Sequence, residues 1–327
     1  MWRCGLRMIH CIVGFMVALT LFRCDDEIAS GDGVRELRVL CVGNSFTEDA
    51  FSYVPPIFSN VAPDVKLTLA IAYIGGAPLV QHYVNITGEP EVVDDECYTP
   101  RTYTLYKCVG GDTRWIPSYN MTMADLLTDE RWDIITFQQG GAMSYGDYDK
   151  YYEPYVALLP SKLRRINSYS VKLGWVVTHG CYSETEEGLR DHWRICADNS
   201  RRVMENSGFE IVFPYGTALQ NLRDSGIANE SEKPGWSYDY GHLQEGLGCL
   251  VSAYANTLVL LNESGEPNVS IMHDDFIPSK IYNVFHGTPN PQYGQNGVVG
   301  LSESNVMMAK RAAMAAVENP FELSELH

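Results

Sequence analysis

Two segments far apart in the chain carry residue types that together could perform nucleophilic chemistry. The first, Val39-Leu-Cys-Val-Gly-Asn-Ser-Phe-Thr-Glu-Asp-Ala50, is an apolar strand that ends at Gly43-Asn44-Ser45 and passes into a helix. A serine on such a turn exposes its hydroxyl at the carboxyl end of a strand, and its own N–H sits where a developing negative charge is favoured. The same position also suits a serine that only caps the helix. The second segment, Ser237-Tyr-Asp-Tyr-Gly-His-Leu243, places Asp239 three residues before His242, at the start of a strongly apolar helix. At that spacing a carboxylate can orient one imidazole nitrogen while the other faces a nucleophile. Asp239 as a turn former beside a capping His242 is the plainer reading of the same pattern. Two further histidines flank the strand ends. His82 follows the pair Gly75-Gly76 on a short helical stretch, and His179 closes the strand Trp175-Val-Val-Thr-His179. Both are candidates for substrate contact, or for ordinary structural hydrogen bonding.

The elements that must position these residues read as alternating strands and helices. Short apolar runs at Leu37–Val42, Leu67–Ile74, Ile134–Phe137, Leu173–Thr178 and Glu210–Phe213 predict strands. Amphipathic stretches near 48–60, 151–170, 184–206 and 242–261, and a last one from Ser304 to Val317, predict helices. Such alternation implies a parallel sheet of about five strands covered on both faces. The expected class is therefore α/β, a three-layer α/β/α flavodoxin-like fold with strand order 2-1-3-4-5. Two segments break the rhythm: 86–120, expected as an insertion over one sheet edge, and 265–300, expected as a long loop.

The combination of Gly43-Asn44-Ser45-Phe46 after the first strand with Asp239-Tyr-Gly-His242 near the end resembles the SGNH/GDSL hydrolase superfamily. Gly75-Gly76 resembles its second block. The likeness is nearest to a branch known only as a domain of unknown function, with GNSFT-, IGG-, Gln-Gln- and NPF-like elements. Here these are residues 43–47, 74–76, 138–139 and Asn319-Pro-Phe321, so the resemblance spans residues 36–321. It implies an SGNH-type fold in which Ser45 is the nucleophile, His242 the base and Asp239 its orienting acid. The oxyanion would be received by the N–H groups of Ser45 and of Gly75 or Gly76, and no metal or organic cofactor is implied. One block departs from the family. Where an asparagine is usual after the third strand, Asp133-Ile-Ile-Thr-Phe-Gln-Gln-Gly-Gly-Ala-Met143 has Ala142. Related enzymes carry a glutamine before the glycine, which makes Gln139 the candidate third donor and Gln138 the reserve; both could instead tie down the strand end. The implied activity is hydrolysis of a small acyl ester, an O-acetyl group on a carbohydrate being the expected substrate. A catalytically silent glycan-binding protein on the same fold, favoured by the missing asparagine, and a lipid or thioester hydrolase are the alternatives.

Of the 327 residues, 24 are Lys or Arg and 41 are Asp or Glu, a formal net charge of −17. An acidic chain without a basic patch is unsuited to a phosphate backbone, which argues against a nucleic-acid partner. Residues 1–23 place Arg3, Arg7 and Arg23 around an apolar run too short to span a bilayer, the pattern of an export signal. Leu21-Phe22-Arg23-Cys24 followed by Asp25-Asp26-Glu27 resembles a bacterial lipoprotein processing site. The expectation is a cell-surface or periplasmic lipoprotein that touches membrane only through a lipid on Cys24, with 24–35 as tether. Past the leader no CxxC pair suggests zinc. In an exported chain, Cys97 and Cys108 form the expected disulfide, and Cys41 and Cys249, in apolar runs, are expected as buried thiols. The oligomeric state is left open.

Overall fold

The computed structural model describes residues 35–166, 169–278 and 298–326. The expected leader, Cys24, most of the tether and residues 279–297 of the long loop lie outside the described residues. The strands are β1 (Arg35–Gly43), β2 (Val65–Tyr73), β3 (Glu91–Val93), β4 (Glu96–Tyr98), β5 (Tyr103–Cys108), β6 (Ile116–Met121), β7 (Ile134–Gln138), β8 (Lys172–Val176) and β9 (Ile211–Phe213). Between them run α1 (Ser45–Phe51), α2 (Val54–Val61), α3 (Leu79–Thr87), α4 (Met123–Asp129), α5 (Tyr148–Tyr151), α6 (Glu153–Val156), α7 (Leu159–Ile166) and α8 (Glu186–Asn206). After β9 come α9 (Tyr215–Asp224), α10 (Leu247–Glu263) and α11 (Glu303–Glu318).

The main sheet has seven strands in the order β6-β5-β2-β1-β7-β8-β9. Its parallel part, β2-β1-β7-β8-β9, is the expected order 2-1-3-4-5. Strand periodicity divides the core into two layers, because neighbouring side chains on β1 face opposite ways. Val39 and Cys41 pack with α2, α9, α10 and α11, whereas Leu40 and Val42 pack with α3, α4 and α7. A strand buried on both faces must be apolar throughout, which is why β1 reads as a continuous run.

The expectation of about five strands is two short. Segment 86–120 does not merely lie over the edge: β5 pairs antiparallel with β2, and β6 with β5, so the insertion extends the sheet. Upstream, β3 and β4 form a separate hairpin. β6 is the outermost strand, solvent-exposed along its length and carrying Pro117. The expected Cys97–Cys108 disulfide is absent, and both are free thiols. Cys108 is buried on β5 while Cys97 stands exposed in the hairpin. Cys41 and Cys249 are buried. No helix among the described residues is long and apolar enough to cross a membrane.

Candidate active site

In a sheet of this order, ligands bind beyond the carboxyl ends of the strands, where the chain connections diverge to either side. Here that point lies between β1 and β7. Chain leaves β1 through Gly43-Asn44 and enters α1 at Ser45. Asn44 is buried and caps α1: its Oδ1 accepts the Phe46 N–H at 2.9 Å and its Nδ2 donates to the Ala77 carbonyl at 2.9 Å. Gly140, just past β7, packs so tightly on Asn44 that a Cβ there would collide with the Asn44 amide and the Ala77 carbonyl. The turn bearing Ser45 is thereby locked to the chain segments that follow β2 and β7.

His242 reaches this turn from the other side. Its Nε2 lies 2.7 Å from Ser45 Oγ, and its Nδ1 lies 2.7 Å from Asp239 Oδ2. The other Asp239 oxygen accepts the backbone N–H groups of Gly241 (3.0 Å) and His242 (2.7 Å), so the acid shapes the turn as well as orienting the ring. The plain turn-forming role and the orienting role are therefore held by the same carboxylate. The helix expected to start at His242 begins only at Leu247, after Gly246 with φ of 106°. His242 thus sits on an irregular loop rather than in a helical first turn. Tyr238 stacks on the imidazole at 5.5 Å between centroids, and Phe46 meets it edge-on at 5.7 Å.

Charge around the imidazole is negative. Partial burial works against a cationic His242, but the hydrogen bond to Asp239 and the charges of Asp49, Asp239 and Glu48 outweigh it and raise its pKa. Burial also opposes ionisation of Asp239, yet bonds from the His242 ring and backbone hold that carboxyl below its ordinary value. Burial and mutual repulsion push Glu48 up to about 8, and burial with the Asp49 charge pushes Glu245 up to about 7.

Gly75 and Gly76 occupy a tight turn after β2, closed by the Ala77 N–H on the Ile74 carbonyl at 3.1 Å. Gly76 has φ of 66°, a conformation that glycine adopts without penalty. Among the described residues neither glycine N–H donates to a backbone carbonyl outside helices and strands, and Ser45, as the first residue of α1, has an N–H with no intrahelical partner. A cleft opens beside the turn, lined by Gly75, Gly76 and Gly140, by Gln81 of α3, and by Glu96, Thr99 and Arg101 from the 86–120 insertion. Among the described residues no group of three His, Cys, Asp or Glu side chains could hold a metal ion.

Four candidates fall outside the Ser45–His242–Asp239 cluster. Gln139, expected as an oxyanion donor, is a buried brace: its Nε2 donates to the Tyr151 carbonyl at 2.7 Å, and its Oε1 accepts from Leu79 (2.9 Å) and Gly140 (3.1 Å). Gln138 is buried too, its Nε2 donating to Asn44 Oδ1 at 2.8 Å. Neither amide is presented to a ligand: both are buried, Gln139 bonded through its oxygen and its nitrogen, Gln138 through its nitrogen alone. His82 is fully buried, its Nδ1 3.1 Å from the Tyr103 hydroxyl. His179 is buried between the Tyr215 hydroxyl at 3.1 Å and the Gly241 carbonyl at 2.7 Å. Burial, helped by nearby arginines, pushes both histidines down to about 3, so they stay neutral. The expected substrate contacts are corrected to packing and support roles, with His179 bracing the loop that carries His242.

A family model described as "Domain of unknown function (DUF4886)" matches residues 38–264. The chain belongs to the DUF4886 family. All of Ser45, Gly75, Gly76, Asp239 and His242 lie inside the matched DUF4886 region. A crystal structure of a DUF4886 family protein from Bacteroides uniformis ATCC 8492 is similar to this DUF4886 protein, with a TM-score of 0.67 at 22% identity, covering 89% of this chain and 98% of that one. At that identity the likeness establishes the shared fold. No curated protein matches the chain.

Asp49 is the site residue that motif reading passes over. It sits four residues after Ser45, and its Oδ2 accepts the Leu243 N–H at 2.8 Å. The signal was present as a carboxylate one helical turn beyond a candidate nucleophile.

Proposed function

We propose that this DUF4886 protein is a serine esterase of the SGNH type that hydrolyses a small acyl ester, an O-acetyl group on a carbohydrate being the substrate that fits best. The observation that carries the reading is the hydrogen-bonded series Ser45 Oγ–His242 Nε2 and His242 Nδ1–Asp239 Oδ2, with 2.7 Å at each step. His242 Nε2 takes the Ser45 proton as Oγ bonds to the ester carbonyl carbon, and Asp239 stabilises the imidazolium. The carbonyl oxygen becomes an oxyanion, received by the N–H groups of Ser45 and of Gly75 or Gly76. Collapse breaks the ester bond, the alcohol leaves with the proton from His242, and water then cleaves the acyl-enzyme with His242 again as base.

The substrate class rests on softer support. The cleft beside the Gly75-Gly76 turn includes Gln81, Glu96, Thr99 and Arg101, polar groups that suit a hydroxyl-bearing alcohol better than a fatty acyl chain or other lipid. Tyr182, 47% exposed, lies against the Gly241 backbone, next to His242 in the chain, and could offer a ring face to a sugar. Export and anchoring through Cys24 belong to the same proposal, since they would set the protein against surface glycans. The net charge of −17 speaks against nucleic acid as partner.

Replacement of Ser45 by alanine is the test. Ser45→Ala should abolish turnover of p-nitrophenyl acetate and labelling by a fluorophosphonate; unchanged turnover refutes the assignment. A second reading, a silent glycan-binding protein, is favoured by the engagement of Gln139 with Tyr151, which leaves no side-chain amide for the oxyanion. It predicts no acyl release from any ester and glycan binding that survives Ser45→Ala.

A further inference from the structure

Ser45 and Asp49 stand four residues apart on α1, so their side chains lie on one face of the helix, a single turn from each other. Both reach the same loop. Ser45 Oγ meets His242 Nε2 at 2.7 Å, and Asp49 Oδ2 accepts the N–H of Leu243, the next residue, at 2.8 Å. The helix that carries the nucleophile thus grips two consecutive residues of the loop that carries the base. A buried carboxylate is an expensive way to satisfy one N–H, because an amide or hydroxyl accepts as well without a charge to desolvate. Its charge therefore calls for a reason, and His242 supplies one.

We propose that Asp49 is a positioning residue for the esterase reaction: its carboxylate fixes the backbone beside His242 so that the imidazole meets the Ser45 hydroxyl, and its charge supports the imidazolium formed there. This rests on the esterase reading above. Asp49 acts through His242 and touches neither Ser45 nor the substrate. It is also distinct from Asp239, which holds the imidazole ring directly.

The surroundings favour this assignment. Facing Asp49 are Glu48 on its own helix, then Asp239, His242 and Glu245 from the loop ahead of α10, and Cys249 from α10 itself. Tyr53 beside α2, Tyr73 on β2, Tyr182 between β8 and α8, and Tyr215 on α9 stand near it as well. The cation in this group is protonated His242, so proton transfer from Ser45 brings a positive charge to a negatively charged neighbourhood. Burial pushes Asp49 up to about 7, opposed by His242 and the Leu243 N–H, so its charge is at stake in the neutral range.

Two variants separate oxygen from charge. Asp49→Asn keeps an acceptor for Leu243 but loses the charge; Asp49→Ala loses both. Each is first shown to be folded by thermal melting, then assayed for p-nitrophenyl acetate turnover across pH and for the rate of fluorophosphonate labelling at Ser45. Asp49→Ala should slow kcat and labelling by about 10- to 100-fold, the scale of a small misplacement of reacting groups, with KM within about threefold. Asp49→Asn should recover most of that loss at alkaline pH and shift the acidic limb to lower pH, because one charge favouring imidazolium is gone. A folded Asp49→Ala that labels at the wild-type rate overturns the proposal, as does an Asp49→Asn limb that does not move. If Asp49→Ala does not fold, the Asp49→Asn limb alone decides. The esterase reading fails separately, through undiminished turnover in Ser45→Ala. In that event NMR titration of the His242 ring in wild type and Asp49→Asn still reports whether Asp49 acts on His242, and an unchanged midpoint overturns the proposal.

Discussion

Asn44 offers a sharp test of how the fold holds its reactive turn. Replacing it by alanine removes the cap of α1, worth about 1 kcal/mol. It also strips Gln138 Nε2 and the Ala77 carbonyl of their partner, and Asn44 is 2% exposed, so water does not readily compensate. Each buried orphan costs about 1–3 kcal/mol. The losses share one side chain and the gap admits some relaxation, so the lower end applies and Asn44→Ala should destabilise by about 3 kcal/mol. Ser45 follows directly, and a displacement of the turn by about 1 Å should lower the labelling rate about 100-fold. Asn44→Asp refines the test. It keeps the two acceptor bonds, but only a protonated carboxyl can donate to the Ala77 carbonyl. Burial raises its pKa above the unfolded value, so its folded form binds protons more tightly and stability falls as pH rises. Urea unfolding at about pH 5 and pH 8, with labelling at both, measures these effects. The reasoning is wrong if Asn44→Ala costs less than about 1 kcal/mol, the value of the cap alone, or if Asn44→Asp loses as much at acid as at alkaline pH.

Asp239→Asn should cut kcat by about 10³- to 10⁴-fold, because an amide no longer fixes the imidazole tautomer that accepts the Ser45 proton; steady-state kinetics on a folded variant would show a smaller drop if the carboxylate served only the turn. The raised pKa of His242 places the acidic limb of kcat/KM above about 6.5, the ordinary histidine value; a pH–rate profile whose acidic limb lies below that value contradicts the electrostatic account. Glu48, Asp49 and Glu245 have folded pKa values above their unfolded ones, so together they make stability decline as pH rises from about 4.5 through 8, and unfolding followed across that window should show the decline flattened by Glu48→Gln. His179→Phe leaves the Gly241 carbonyl and Tyr215 hydroxyl without their partner, so kcat should fall with KM nearly unchanged; a rise in KM alone would restore His179 as a substrate contact.

Legibility in the sequence followed physical contrast. β1 and its turn were readable because a doubly buried strand is apolar throughout and ends abruptly in Gly-Asn-Ser. Alternation made the parallel sheet legible, and its strand order is the one expected of a flavodoxin-like sheet. β5 and β6 were not, since Tyr-Thr-Leu-Tyr-Lys-Cys and Ile-Pro-Ser-Tyr-Asn-Met mix polar and aromatic residues without a clean period. The spacing of Asp239 and His242 was legible, but the onset of α10 was misplaced because Gly246 redirects the chain ahead of the apolar run. Gln139 was misassigned for a different reason. An amide at a strand end can face a ligand or bind neighbouring backbone, and only the nearby Tyr151 carbonyl decides.

The edges of the sheet bear on how copies of the chain meet one another. An outer strand with free backbone groups invites a second sheet to pair with it, and β6 carries the exposed apolar side chains of Ile116 and Tyr119 that would aid such pairing. Pro117, the second residue of β6, removes an N–H donor from that template, and Asn120, with φ of 58°, bends its far end away from an extended course. At the opposite edge β9 has only 3 residues, too few to template a partner. An apolar sheet can thus be present at high local concentration with neither border offering a long, regular template for pairing.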